Sequence, residues 1–143
     1  GALRGPKHMS LILSALKKES YRDLLGAAGV AALASTRDPK HLKSLRHYSL
    51  PPHSFLRRAQ AIRALADYAP ISESVVAWLC EAAADSDERI NLVAISSLGQ
   101  LQDERALPTL EKARAHPNTR VRVYAEEALA RIKQGFDSNP QKN

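Results

Sequence analysis

The stretch Arg89-Ile90-Asn91-Leu92-Val93-Ala94-Ile95-Ser96-Ser97-Leu98 has small residues four places and one place before a closing leucine, and an apolar residue three places before it. Similar stretches close in Leu24 to Leu33, Leu56 to Leu65 and Arg120 to Leu129, so the closing leucines stand 32, 33 and 31 residues apart. The residue four places before each leucine is Gly29, Ala61, Ala94 or Ala125, and the residue one place before it is Ala32, Ala64, Ser97 or Ala128. Small side chains at these offsets let neighbouring helices approach closely. Val30, Ile62 and Ile95 fill the position three places before the leucine. Glu126 interrupts it in the last unit, as a terminal unit facing solvent tolerates.

Each of the first three leucines is followed by a turn and a second apolar pattern: Asp38-Pro39 with Leu42 and Leu45, Pro70-Ile71-Ser72 with Val75, Val76 and Leu79, and Asp103-Glu104 with Leu107 and Leu110. Spacings of three and four rather than two specify amphipathic helices, and no β-branched run alternates with period two, so no sheet is expected. Helices are predicted over 9–18, 20–35, 39–48, 54–68, 72–84, 87–101, 104–115 and 118–134, which makes four hairpins. Ser20 with Asp23, Asp38 before Pro39, Ser72 and Ser86 are the expected caps, and Pro117 opens the last helix. Leu50-Pro51-Pro52 forbids a helix through it, because each proline removes an amide donor and restricts the residue before it. Residues 1–8 read as a tag or linker remnant, 9–134 as the repeat domain and 135–143 as a disordered polar tail; a stack beginning at Gly1 reads as a segment of a longer protein.

Composition narrows the function. A chain of 143 residues holds one domain or a short repeat stack, and 44% hydrophobic with 25% charged residues is ordinary for a soluble protein. No run is apolar enough to span a membrane, and with no signal-like segment ahead of the domain the cytoplasm is the favoured compartment. The single cysteine, Cys80, excludes an internal disulfide framework, and five scattered histidines give no zinc framework. The net charge of +6 is uneven: residues 1–65 carry twelve Lys and Arg against three Asp and Glu, whereas residues 66–143 carry nine against twelve.

The run Leu98-Gly99-Gln100-Leu101-Gln102-Asp103-Glu104-Arg105-Ala106-Leu107-Pro108-Thr109-Leu110, with its period of 31 to 33 residues and two helices per unit, resembles HEAT-like repeats of the short bacterial type. The resemblance covers nearly all of residues 20–134 and implies an all-α fold, a right-handed α-solenoid of about four hairpins. Two units depart from the pattern: Gly26 and Gly29 lie inside the first, and Arg57 stands where the others have Leu25, Ile90 and Val121. A narrower resemblance is carried by Ser20 to Ala34, Arg37-Asp38-Pro39 and Arg57 to Leu65, which are similar to the C-terminal helical-repeat region of zinc aminopeptidases related to aminopeptidase N. It implies a capping wall over a catalytic chamber, with zinc held elsewhere in a parent enzyme and the rest of that parent as partner. The family's His-Glu-x-x-His helix is absent from this sequence, so no catalytic residue carries over.

The residues that bear chemistry mostly have plain structural readings. His41 and His47, six apart, do not share a face for a metal, so no cofactor is expected in this chain. Cys80 among Ala77-Trp78-Leu79 reads as an inert core thiol, and Trp78 as packing. Asp85 with Asp87, and Glu126 with Glu127, read as solvated carboxylates at a helix start and on a polar face. The chain is therefore expected to be non-enzymatic. The functional lead is its basic half: Lys40, Lys43, Arg46, His47, Arg57 and Arg58 form a candidate binding surface. Such a surface is either simply solvated, or receives another part of the parent or another protein, or binds nucleic acid. The low aromatic content, 5%, weighs against readers that stack bases.

Overall fold

The computed structural model describes residues 23–137, and these contain helices and turns but no strand. Seven α-helices occur among the described residues: α1 Asp23–Ser35, α2 Leu42–Tyr48, α3 Phe55–Ala66, α4 Ser74–Ala83, α5 Glu88–Leu101, α6 Leu107–Ala113 and α7 Thr119–Asp137. One-turn 3-10 helices, Pro39–His41 and Glu104–Ala106, lead into α2 and α6. The predicted helix over 9–18 and the Ser20 cap lie outside the described residues. Leu50-Pro51-Pro52, with a cis bond between the prolines, falls between α2 and α3, where the sequence forbids helix.

The chain divides into two compact units between Leu65 and Ala66, the same point at which its charge changes sign. In the first unit α1 packs on α2. In the second, α5 is central, packed on α4 and most extensively on α7, while α6 closes on α7. The repeated positions form the cores. Val30, Leu33, Ile62, Leu65, Ile95 and Leu98 are essentially inaccessible to water. Each such side chain contributes roughly 1.5–3 kcal/mol on burial. Of the eight small residues set before the closing leucines, all but Ala32 are buried. In the last unit Glu126 is exposed and Leu129 only half-buried, so the pattern weakens where the sequence breaks it.

Gly99, directly after the closing Leu98, lies against one of these small positions, Ala128. A Cβ at Gly99 would lie 3.0 Å from Ala128 Cβ and 3.1 Å from Ala128 Cα, so α5 and α7 touch almost backbone to backbone. Gly26 of the first repeat and Arg57 of the second prove to be one feature. A Cβ at Gly26 would collide with Arg57 Nε and stand 2.8 Å from its Cζ. The glycine leaves the space that a buried arginine, 7% exposed, occupies in place of an apolar residue. Ordinarily Gly→Ala in a helix gains about 1 kcal/mol. Gly26→Ala should realise that gain only when Arg57 is also replaced. We therefore expect Gly26→Ala to be more favourable by about 1 kcal/mol in an Arg57→Ala background than alone, measured by urea unfolding of the four proteins of the cycle. Equal effects in both backgrounds would show that the two side chains do not compete for this space.

Asp38 caps the turn before α2 as expected, accepting from Lys40 N, whereas the caps expected at Ser72 and Ser86 are not the ones used. Asp87, not Ser86, caps α5: its Oδ1 accepts from Arg89 N at 2.9 Å. The same carboxylate holds the Arg89 guanidinium through Nε at 3.1 Å and Nη2 at 2.9 Å. Asp103 treats Arg105 identically, with Nε at 3.0 Å and Nη2 at 2.7 Å. Both guanidiniums are held above their ordinary range by these hydrogen bonds. At α7 the cap, directly after Pro117, is Asn118, whose Oδ1 accepts from Arg120 N at 2.8 Å. At α4, Glu73 stands at the start without a side-chain bond, so Ser72 does not supply the expected cap.

Candidate functional site

The structure separates the six basic candidates. Lys40, Lys43 and His47 are exposed, at spacings of three and four that align them on one face of the 3-10 turn and α2. Arg46 is half-buried. Arg57 and Arg58 are buried, 7% and 6% exposed, and drop out of the expected surface. The reason is local: Arg58 Nε donates to Ser49 O at 3.0 Å, and Ser49 caps the end of α2 with its Oγ donating to Arg46 O at 2.6 Å. Arg58 thus ties α3 to the end of α2, and Arg57 fills the space at Gly26.

At the foot of this face Lys40 Nζ lies 3.4 Å from Asp38 Oδ2 while its backbone N donates to Asp38 Oδ1 at 3.0 Å. The backbone hydrogen bond is the main reason the Asp38 carboxyl sits below its ordinary range. At the other end His47, Tyr48 and His53 form a ring cluster with edge contacts and centroid separations of 4.8 to 5.2 Å. His41 and His47, six apart, are not expected to share a face; the turn in which His53 N donates to Leu50 O brings His53 to His47. His53 Nδ1 lies 3.0 Å from Leu50 O. Partial burial, opposed by that hydrogen bond and aided by the nearby positive charge of His47, Arg57 and Arg58, holds His53 below its ordinary 6.5. A folded value below the unfolded one means that the unfolded chain takes up the proton first as pH falls. Stability is expected to be complete above pH 6.5 and to decline from there down to the lowered folded value. His53→Gln should flatten that part of a thermal-midpoint profile between pH 7 and pH 5, and an unchanged slope would assign the decline to other groups.

The second unit holds a different feature. A groove of about 670 Å³ runs between α6 and α7, floored by Leu107, Pro108, Leu129, Ile132 and Phe136 and edged by Glu126 and Lys133. Phe136 was assigned by sequence to the tail; α7 instead continues three residues past 134 and brings it against α6. Gly135 belongs to the same extension, where the absence of a side chain lets Gln102 lie on α7 and donate from Nε2 to Arg131 O at 2.8 Å. The signal was present in Leu129-x-x-Ile132-x-x-x-Phe136, a spacing of three and four that outlasts the last leucine of the repeat.

Other candidates behave as ordinary structure. Asp85 Oδ1 accepts from Asp87 N at 2.9 Å, and Glu126 and Glu127 are exposed. Cys80 is half-buried rather than a core thiol, as is Trp78. Among the described residues, no group of three or more His, Cys, Asp or Glu is arranged to hold a metal ion, and no helix is long and apolar enough to cross a membrane.

Helical hairpins at a period of 31 to 33 residues, small residues at the helix contacts and apolar residues facing them define a helical-repeat protein. The model of HEAT repeats matches residues 56–130, more than half of the chain, and the protein belongs to the HEAT-repeat family. No curated protein matches the sequence.

Proposed function

We propose that this chain is a non-catalytic scaffold that binds an acidic protein surface through the face of Lys40, Lys43 and His47. Membership of the HEAT-repeat family supports a role in protein interaction. The observation that carries the specific reading is the alignment of three exposed cationic or titratable side chains on one face, while Arg57 and Arg58, close by in sequence, serve the interior. Rim charges of this kind govern association rate and salt dependence more than tight affinity.

The test is a titration of the full chain against a labelled poly-glutamate peptide and a short DNA duplex at two salt concentrations. Lys40→Glu with Lys43→Glu is expected to weaken peptide binding about tenfold and leave the helical content unchanged. Equal binding by wild type and variant would overturn the reading. Preference for DNA with a steep loss in salt would instead favour the nucleic-acid alternative, because phosphate contacts release counterions.

The similarity to aminopeptidase C-terminal repeats supports a narrower form of the same scaffold, a wall that restricts access to a zinc-bearing chamber. A His-Glu-x-x-His motif upstream in the same reading frame would support this form, and a start codon at Met9 would remove it.

A further inference from the structure

The open face of α7 reads the same in both directions. Val123, Glu126, Leu129, Ala130, Lys133 and Phe136 follow one another at spacings of three, three, one, three and three, and so share one side of the helix. The order is apolar, acidic, apolar, apolar, basic, apolar. Reversed about the midpoint of Leu129 and Ala130, it matches apolar with apolar and acid with base.

This face is left open by the described residues. Val123 is 45% exposed, Glu126, Ala130 and Lys133 are exposed, and Leu129 and Phe136 are half-buried along the groove beside α6. A polar terminal unit would account for Glu126 alone. It does not account for the exposed Val123 and the half-buried Leu129 and Phe136 on the same side of the helix. Exposed apolar side chains grouped on one face mark an interaction surface.

We propose that the occupant is a second copy of this chain, with the two α7 helices antiparallel about a two-fold axis between Leu129 and Ala130. Each Val123 then meets Phe136 of the other copy, each Glu126 meets Lys133, and each Leu129 meets Ala130. A two-fold interface uses the same patch on both partners and must be self-complementary, which is the property this stripe has. Glu126 and Lys133 are separated by seven residues, about 10.5 Å along the helix, so both charge pairs form in the same register. The charges fix register and direction, and the apolar residues supply the attraction. The proposal involves only the second unit and is independent of the cationic face.

Sedimentation equilibrium of the full chain over a range of concentrations tests it. Wild type is expected to approach twice the 15.7 kDa of one chain. Glu126→Lys alone and Lys133→Glu alone each place like charges opposite one another and should weaken association at least tenfold, with circular dichroism unchanged because both side chains are exposed. The double reversal Glu126→Lys/Lys133→Glu restores every pair and should restore wild-type association. An equimolar mixture of the two single variants should associate more tightly than either alone. A wild-type chain that remains monomeric throughout overturns the proposal and leaves the groove to a different protein. Single reversals that associate like wild type, or a double reversal and a mixture that fail to recover, overturn it as well.

Discussion

Gly99→Leu is expected to destabilise the protein by about 3 kcal/mol, at the upper end of what overpacking a close-fitting core costs. The site leaves no room: the first added carbon would lie 3.1 Å from Ala128 Cα, a backbone atom that cannot rotate aside as the tip of a long side chain can. Gly99 occupies a helix interior at a propensity cost of about 1 kcal/mol relative to alanine, and the close approach of α5 and α7 explains its presence. Chemical denaturation measures the loss. Ala128→Gly, introduced together with Gly99→Leu, should recover at least about 1 kcal/mol, because the pair share one contact and their effects are coupled. If Gly99→Leu unfolds at the wild-type midpoint, the two helices are not in contact at this position.

Asn91→Leu should cost about 2–3 kcal/mol, although it exchanges a buried polar side chain for an apolar one of similar size. Asn91 is 1% exposed, and its Nδ2 donates to Ala82 O at 3.2 Å and to Asp85 O at 2.8 Å. It therefore satisfies two carbonyls at the end of α4 and fastens the turn into α5. Leucine would remove the donor to Asp85 O and leave Ala82 O with the Asp85 amide alone. Asn91→Asp separates hydrogen bonding from packing: it keeps the shape but points acceptors at acceptors, and it should destabilise at least as much. Tolerance of aspartate would show that volume alone matters at this site.

How far the sequence discloses the structure depends on the range of each interaction. The core was legible because its rule is periodic: Val30, Ile62 and Ile95 precede their leucines by the same offset and are all buried. Helix ends were less legible where side chains compete for one role. Ser86 and Asp87 are both good caps, and only Asp87 can also grip Arg89. Arg37 and Gln102, after α1 and α5, adopt left-handed backbone with φ of 50° and 53° without being glycine, so those helix ends lack the usual marker.

The candidate surface was the least legible part. Arg57 and Arg58 have the same charge as Lys40 and Lys43, and only contacts with Gly26 and Ser49 decide that they face inward. The first joins residues 31 positions apart, one repeat length, and the second residues only 9 apart, and charge along the chain marks neither. The groove residues were missed for a different reason. The repeat ends at Leu129, but the helix does not, and Phe136 belongs to the helix.

The forks of Asp87 with Arg89 and Asp103 with Arg105 also bear on how the chain folds in time. Each fork joins residues only two apart and needs almost no loop closure, whereas the contact of Gly99 with Ala128 must bring together residues 29 apart. Starting a helix is the costly step, because several dihedral angles are fixed for the first hydrogen bond. A carboxylate that gathers the amide and the guanidinium of the residue two positions on lowers that cost at the start of α5 and of the turn into α6. Contacts of such low order form fast, so the second unit carries its initiation points at the places where its helices must begin.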